Sequence, residues 1–256
     1  MSSVSVTITQ ALFIIGGGLA LALGGLVLVR RRMPAEKLKP QHEVAGYIVA
    51  VVGVMYAVLV ASVVVMAWTQ FDATRRDVEH EAGAVANLIR VAEGLPAAER
   101  LRLELAIAAY VKNVLEDEWP AMADNRLSLP TQRALDTLWG TVRDAQLTSA
   151  HDLLLQDKLL DLVESVTELR RSRLTAASDG LSWLLWLVLI AGAAITIAYC
   201  YFFGVAQPKA QFILVGLLAL MICLDLFLIA AVDLPFTGVL VVKADAFALL
   251  HQVLQQ

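Results

Sequence analysis

The stretch AGYIVAVVGVMYAVLVASVVVMAWTQFDATRRDVEHEAGAVANLIRVA, Ala45–Ala92, changes character at Trp68 without losing its rhythm. Up to Trp68 it is apolar and uncharged, and about as long as the ~20 residues a helix needs to cross ~30 Å of hydrocarbon. Past Trp68 charged residues enter, and no Pro or Gly interrupts the chain before Gly83. Apolar positions recur at Val78, Ala82, Val85, Ile89 and Ala92, the spacing of a coiled-coil seam. The pattern predicts one helix that crosses a bilayer and runs on into water.

Three more runs have the same apolar length: Thr7–Val29, Leu181–Phe203 and Phe212–Val232. Hydrophobic residues make up 59% of the chain and its mean hydropathy is +0.69, above the roughly 45–50% apolar share of a soluble domain. Four transmembrane helices follow. The first run contains Ala20-Leu-Ala22, which imitates a signal-peptide cleavage site, but no Lys or Arg precedes it and it continues to a basic stop, Arg30-Arg31-Arg32. An uncleaved anchor is expected. Between the second and third spans, residues 69–180 hold 19 acidic and 13 basic residues, a net charge of −6 that disfavours nucleic acid as a partner.

Lys and Arg collect in short cytoplasmic loops. The first loop, RRRMPAEKLKPQHE, holds five of them, and Lys209 lies in the short connection between the last two spans. These place both loops inside and the polar segment on the non-cytoplasmic side. Arg75, Arg76, Arg170, Arg171 and Arg173 lie near the opposite membrane ends, but acidic neighbours such as Asp72 and Glu168 share their turns. Aromatic belts mark the span ends at Trp68, Trp183, Trp186, Tyr199, Tyr201, Phe202 and Phe203.

The polar segment reads as a helical bundle. A seam at Leu155, Leu159, Leu162, Val166 and Leu169, with Thr148 or Ser149 as N-cap, leads back to the membrane and is expected to pair antiparallel with the outgoing one. Each composite helix is expected to be an unbroken shaft on the order of 70 Å long, with Ser178-Asp179-Gly180 as a candidate hinge on the return. Two shorter helices fit between them. One starts at Pro96 and is expected to bury Leu101, Leu105, Ala108, Val111 and Leu115; the other starts near Pro130 and buries Leu135, Leu138, Trp139 and Val142. The predicted class is all-α: hairpins at 1–68 and 181–232, an inserted bundle at 69–180 built partly from extensions of the spans, and a tail at 233–256. That tail holds a short strand-like run, Val239–Val242, and an amphipathic turn through Phe247, Leu250 and Val253.

No grouping supports catalysis. GGGLALALGG lacks the Lys-Ser/Thr of a phosphate loop and lies in lipid, so Gly18-xxx-Ala22 and Ala20-xxx-Gly24 are read as helix-packing surfaces. His42, His80, His151 and His251 have no metal-ligand spacing, no nucleophile elbow is present, and Cys200 and Cys223 lie inside spans as small apolar residues. No metal or cofactor is expected. Glu116-Asp117-Glu118 before Trp119-Pro120 sets three carboxylates at a helix end, where the macrodipole disfavours them; the plain reading is a solvated surface, the alternative a bound cation or basic partner.

Asp225, inside LMICLDLFLIAAVDLPFTG, is sharper, because an acid in a membrane helix costs about 2.5–3.5 kcal/mol and faces a bundle interior or a wet cavity. Tyr56 lies at a similar depth, and a Tyr56–Asp225 hydrogen bond is expected, either fixing helix register or tuning an ion path. Val58 and its neighbouring valines form a candidate hydrophobic constriction.

The segments RRRMPAEKLKPQHEVAGYIVAVVGVMYAVLV, WTQFDAT, EDEWP, DLPFTG and VLVVKADAF together resemble the bacterial bestrophin-like family of multi-pass membrane proteins, a domain of unknown function. The resemblance covers most of the chain. It implies kinship with pentameric anion channels built from four membrane helices and a helical domain inserted after the second, and hence a homo-oligomer in a bacterial inner membrane that passes inorganic ions. It also implies a cytosolic inserted domain, opposite to the side read from charge. Asp233, Pro235 and Gly238 belong to its DLPFTG signature, expected to be a helix-ending turn at the interface. Two functions fit these features: an oligomeric ion pore, and a membrane-anchored interaction or sensory scaffold that does not conduct.

Overall fold

The computed structural model describes residues 3–32, 42–202, 207–237 and 240–255. Lys37, Phe203, Gly238 and Val239, with most of the first loop, lie outside the described residues. Every element among those described is helical: α1 (Ser3–Arg32), α2 (His42–Ala92), α3 (Ala97–Asn113), a π-turn (Val114–Glu118), α4 (Trp119–Ala123), α5 (Leu129–Arg143), α6 (Ala150–Ser178), α7 (Trp183–Tyr201), α8 (Pro208–Asp233) and α9 (Asp245–Leu254). The chain forms two compact units, Met1–Thr69 with Leu181–Asp233, and Gln70–Gly180 with Leu234–Gln256.

The first unit contains α1, the apolar half of α2, α7 and α8, and all four helices are long and apolar enough to cross a membrane. Small residues let α1 approach its neighbours. A Cβ at Gly18 would collide with Cys223 Sγ of α8, and one at Gly25 would lie 2.7 Å from the Tyr201 hydroxyl, which donates to the Ala22 carbonyl at 2.6 Å. Gly18 and Ala22 thus serve helix contact as the spacing predicts. The Ala20-xxx-Gly24 pair does not: Ala20 is exposed and nothing lies within 4 Å of a Cβ at Gly24. At the far end of α8, Asp233 accepts from the Leu181 N–H (2.5 Å) and Trp186 Nε1 (3.2 Å), tying its last residue to the start of α7.

The outgoing helix is continuous, since α2 runs 51 residues, about 77 Å at 1.5 Å per residue. The returning shaft is broken, contrary to expectation. Helix α6 stops at Ser178, Asp179 adopts extended ψ, and Ser182 starts α7 afresh by accepting from the Leu184 N–H at 3.3 Å. Asp and Gly in Asp179-Gly180 are poor helix residues, and a new N-cap is available two residues on.

The second unit packs α3–α6, α9 and the outer half of α2 around one apolar core. Val78, Ala82, Val85 and Ala92 of the outgoing seam are buried, as are Leu159 and Val166 of the returning one, and Ser149 caps α6 by accepting from the Asp152 N–H. Helix α5 buries Leu135, Leu138 and Val142 as predicted. Helix α3 departs from its predicted face in part: Val111 is buried as expected, but Leu101 and Leu105 are 57% and 63% exposed, while Leu103, Ile107 and Tyr110 fill the core. Both faces of α3 carry apolar residues, so the period is ambiguous, and the buried polar partner of Tyr110 decides it. In the tail, Phe247 is fully buried, Val253 is exposed, and the described residues 240–242 form no strand.

Candidate functional site

In the membrane unit, α2 turns Tyr56, Val60, Val63 and Ala67 inward at a 4-3-4 spacing, one continuous face. Tyr56, Val60 and Val63 join Leu189 and Ala193 of α7 and Ile222 and Ile229 of α8 in one cluster. Half a turn away stand Val54, Val58, Ala61 and Val65, all exposed, with Val58 at 62%. From Val44 to Phe71 the helix carries no charged residue. Val58 therefore belongs to an uncharged apolar face that the described residues leave uncovered.

The Tyr56 ring lies against Gly192, where an added Cβ would come within 2.6 Å of Cδ2. Its hydroxyl is buried and makes no hydrogen bond among the described residues, so the expected Tyr56–Asp225 bond is not formed. Asp225 is half-buried and lies three residues after Ile222 and four before Ile229, on the stripe of α8 that packs toward Tyr56. Matching depth along two helices does not bring two side chains together, because the ring is drawn into the space that Gly192 leaves open.

The acidic cluster divides. Glu116 and Asp117 are exposed, and Glu116 pairs with Lys112 at 3.8 Å. Glu118 is fully buried, which overturns the solvated reading for this residue. It accepts from Arg170 Nη2 (2.6 Å) and from Arg173 Nη2 (2.7 Å). Arg173 reaches on to Glu81 through Nε (2.7 Å) and Nη2 (3.0 Å), and Tyr110 donates to Glu81 Oε1 at 2.6 Å. Arg170 Nη1 donates to Gln132 Oε1 at 2.7 Å. The Arg173 guanidinium also stands over Trp119 (5.2 Å to the ring centre) and Phe247 (6.0 Å), and Trp119 meets Phe236 edge to face at 5.6 Å. Two cations and two anions are thus buried with no residual charge. The partner that the acidic helix end demands comes from within the chain.

The π-turn makes this geometry. Tyr110, Val114, Glu118 and Met122 are all buried at a strict four-residue spacing, which drifts off one face of a helix with 3.6 residues per turn. The wider turn at Val114–Glu118 absorbs the drift and aims Glu118 inward. Burial opposes the charge on Arg173, but the Glu81 and Glu118 carboxylates outweigh it and hold the guanidinium above its ordinary range. Burial first, then the Glu81 charge, push the Tyr110 hydroxyl well above the ordinary tyrosine value, so it remains a donor.

Asp233 ends α8 and makes the two bonds described above; Pro235 is buried and its carbonyl accepts from the Val242 N–H at 2.8 Å. Gly238 lies outside the described residues. No group of three or more His, Cys, Asp or Glu side chains able to hold a metal occurs among the described residues.

Four helices long and apolar enough to cross a membrane, with a second helical unit built from Gln70–Gly180 and Leu234–Gln256, define a multi-pass α-helical membrane protein. Residues 16–247 match the Bestrophin-like domain, and the chain belongs to that family. Among solved structures, a bacterial bestrophin homologue from Klebsiella pneumoniae carrying one mutation superposes with a TM-score of 0.69, at 14% identity over 94% of this chain and 97% of that one. The zinc-phased structure of a bestrophin homologue from the same organism gives 0.68, at 14% identity over 94% and 96%. At such identity the likeness is one of fold. No curated protein matches the chain.

Proposed function

We propose that the protein is an oligomeric pore for inorganic ions in the bacterial inner membrane, with the outward face of α2 lining the path. The observation that carries this reading is the uncovered face Val54, Val58, Ala61 and Val65, opposite the face α2 uses within its own chain. An apolar ring of such residues, repeated around a symmetry axis, makes a constriction that gates by dewetting. Membership of the bestrophin-like family supports the arrangement, and a homo-oligomer supplies the axis. Asp225 tunes ion access from the second layer of helices.

The test is ion flux through purified protein in liposomes. Wild-type protein conducts, Val58→Trp closes the path, and Asp225→Asn changes rate or selectivity while the oligomer persists. A monomer in mild detergent, or silence across ions and voltages from an intact oligomer, rejects the pore and leaves the non-conducting scaffold.

A further inference from the structure

A cavity of about 440 Å³ in the helical unit lies against the last three turns of α6. Its lining contains two guanidinium groups, Arg170 and Arg171, and no carboxylate. Arg170 is already matched by Glu118 and Gln132 and forms a fixed wall. Arg171 is exposed and has no ion pair among the described residues. One turn further along the same side of α6 stands the Thr175 hydroxyl, while Leu127, Leu135 and Leu174 supply apolar surface. The cavity thus pairs one unmatched cation and hydrogen-bonding groups with an apolar wall.

Its place in the chain says what such a cavity meets. Ser178, also in the lining, is the last residue of α6, and the membrane helix α7 begins at Trp183. Five residues span at most ~18 Å of chain, a short covalent tether between the Ser178 end of the lining and the start of a membrane span. At its rim Leu127 is 75% exposed, and Leu129 nearby is 65% exposed. A loose loop is not the cause: Asn125 holds a left-handed turn (φ 53°), and Ser128 caps α5 by accepting from the Thr131 N–H at 3.2 Å. Two leucines fixed outward are unfavourable in bulk water and favourable at the acyl boundary.

We infer that this cavity binds the phosphate headgroup of an anionic phospholipid, with Arg171 as the phosphate-binding cation and Leu127 against the acyl chain. Guanidinium pairs phosphate oxygens through two parallel N–H groups; phosphatidylcholine offers the same phosphate but brings a fixed quaternary ammonium beside the Arg171 charge, which offsets the attraction that a net-anionic headgroup keeps. The assignment is independent of conduction.

The experiment is thermal unfolding and native mass spectrometry of the full-length protein in neutral detergent, titrated with dioctanoyl phosphatidylglycerol, dioctanoyl phosphatidylcholine or inorganic phosphate. Phosphatidylglycerol is expected to raise the unfolding temperature and to remain bound in the gas phase, and phosphatidylcholine to do neither. Arg171→Gln, at an exposed position, leaves the unliganded unfolding temperature unchanged and weakens phosphatidylglycerol binding about tenfold, as loss of a charge-assisted pair predicts. Arg75→Gln, which removes a cation already paired with Asp72, leaves binding intact. Equal response to both lipids, or an unaltered response in Arg171→Gln, overturns the site. A shift reproduced by inorganic phosphate alone overturns the lipid assignment.

Discussion

Arg173 of α6 and Glu81 of α2 form a two-point ion pair, 2.7 Å from Nε to Oε2 and 3.0 Å from Nη2 to Oε1, with both side chains fully buried. The same guanidinium also holds Glu118. Removing one partner of a buried pair leaves an uncompensated charge and costs about 3–5 kcal/mol, so Glu81→Ala should unfold the helical unit or sharply lower its thermal stability. Arg173→Lys should fail nearly as badly, because an ammonium cannot present the planar fork that serves two carboxylates at once. Thermal unfolding monitored by circular dichroism checks both, and a Lys variant as stable as wild type would mean that charge alone suffices.

Tyr110 completes that cluster and sets its alkaline limit. Its hydroxyl titrates well above the ordinary ~10 in the folded unit, because burial and the Glu81 charge both oppose the phenolate. A folded-state pKa above the unfolded one contributes stability that is present in full below pH ~10 and is lost as pH rises toward the folded value. Stability should therefore fall in the alkaline range, with no loss from this group on acidification. Tyr110→Phe should flatten the alkaline fall while lowering stability at neutral pH by about 1–3 kcal/mol, since Glu81 loses a donor. Unfolding midpoints in denaturant across pH decide it.

The membrane spans and most of the core were legible because period and apolarity act locally. Val78, Ala82 and Val85, or Leu135, Leu138 and Val142, announce their face by spacing alone. The charge cluster was not, although its signal is present: Glu81 falls in register with Val78 and Val85, and Arg170 and Arg173 continue the spacing of Val163 and Val166. A charge at a seam position reads as solvated surface until a partner is known, and Glu118 lies 52 residues from Arg170 along the chain. The π-turn that aims Glu118 has no propensity signature; it follows from the need to keep Tyr110, Val114 and Met122 on one face. For Tyr56, depth was readable and direction was not, since direction depends on the gap over Gly192.

That gap gives a direct test. A methyl at Gly192 would lie 2.6 Å from the Tyr56 ring, so Gly192→Ala must displace the ring or separate α2 from α7, at about 1–3 kcal/mol for overpacking. Tyr56→Leu should relieve it, and the double variant should be more stable than the sum of the singles by about 0.5–3 kcal/mol. Thermal inactivation in detergent measures the cycle. Strict additivity would show that the two positions do not share this contact.

Asp233 carries another expectation. Asp233→Ala leaves the Leu181 N–H and Trp186 Nε1 without their acceptor, a loss of about 1–3 kcal/mol for donors left unsatisfied. Because these bonds fix the segment that follows α6, cleavage by added protease should rise between Ser178 and Trp183 and stay unchanged in the continuous helix α2 near Trp68. Fragment masses report the site, and equal cleavage in wild type and variant would remove Asp233 from this role.

A non-cytoplasmic helical unit is the expectation set by the loop charges, and the ion pairs near its membrane ends bear on it. Of the five arginines near its membrane ends, Arg75 and Arg76 pair with Asp72, Arg170 with Glu118, and Arg173 with Glu81 and Glu118. Arg171 has no ion pair among the described residues, and the opposite loop carries Arg30, which donates to Gln211, with Arg31, Arg32, Lys37 and Lys39 in its sequence. By the positive-inside rule that loop is expected on the cytoplasmic side, whereas family kinship points the other way. A reporter fused at Asn125, in an exposed left-handed turn, should therefore be active when the reporter works outside the cytoplasm, and one at Lys37 when it works inside. The reverse pattern would show that the bestrophin-like topology overrides the loop charge, and would move the Arg171 cavity to the inner leaflet.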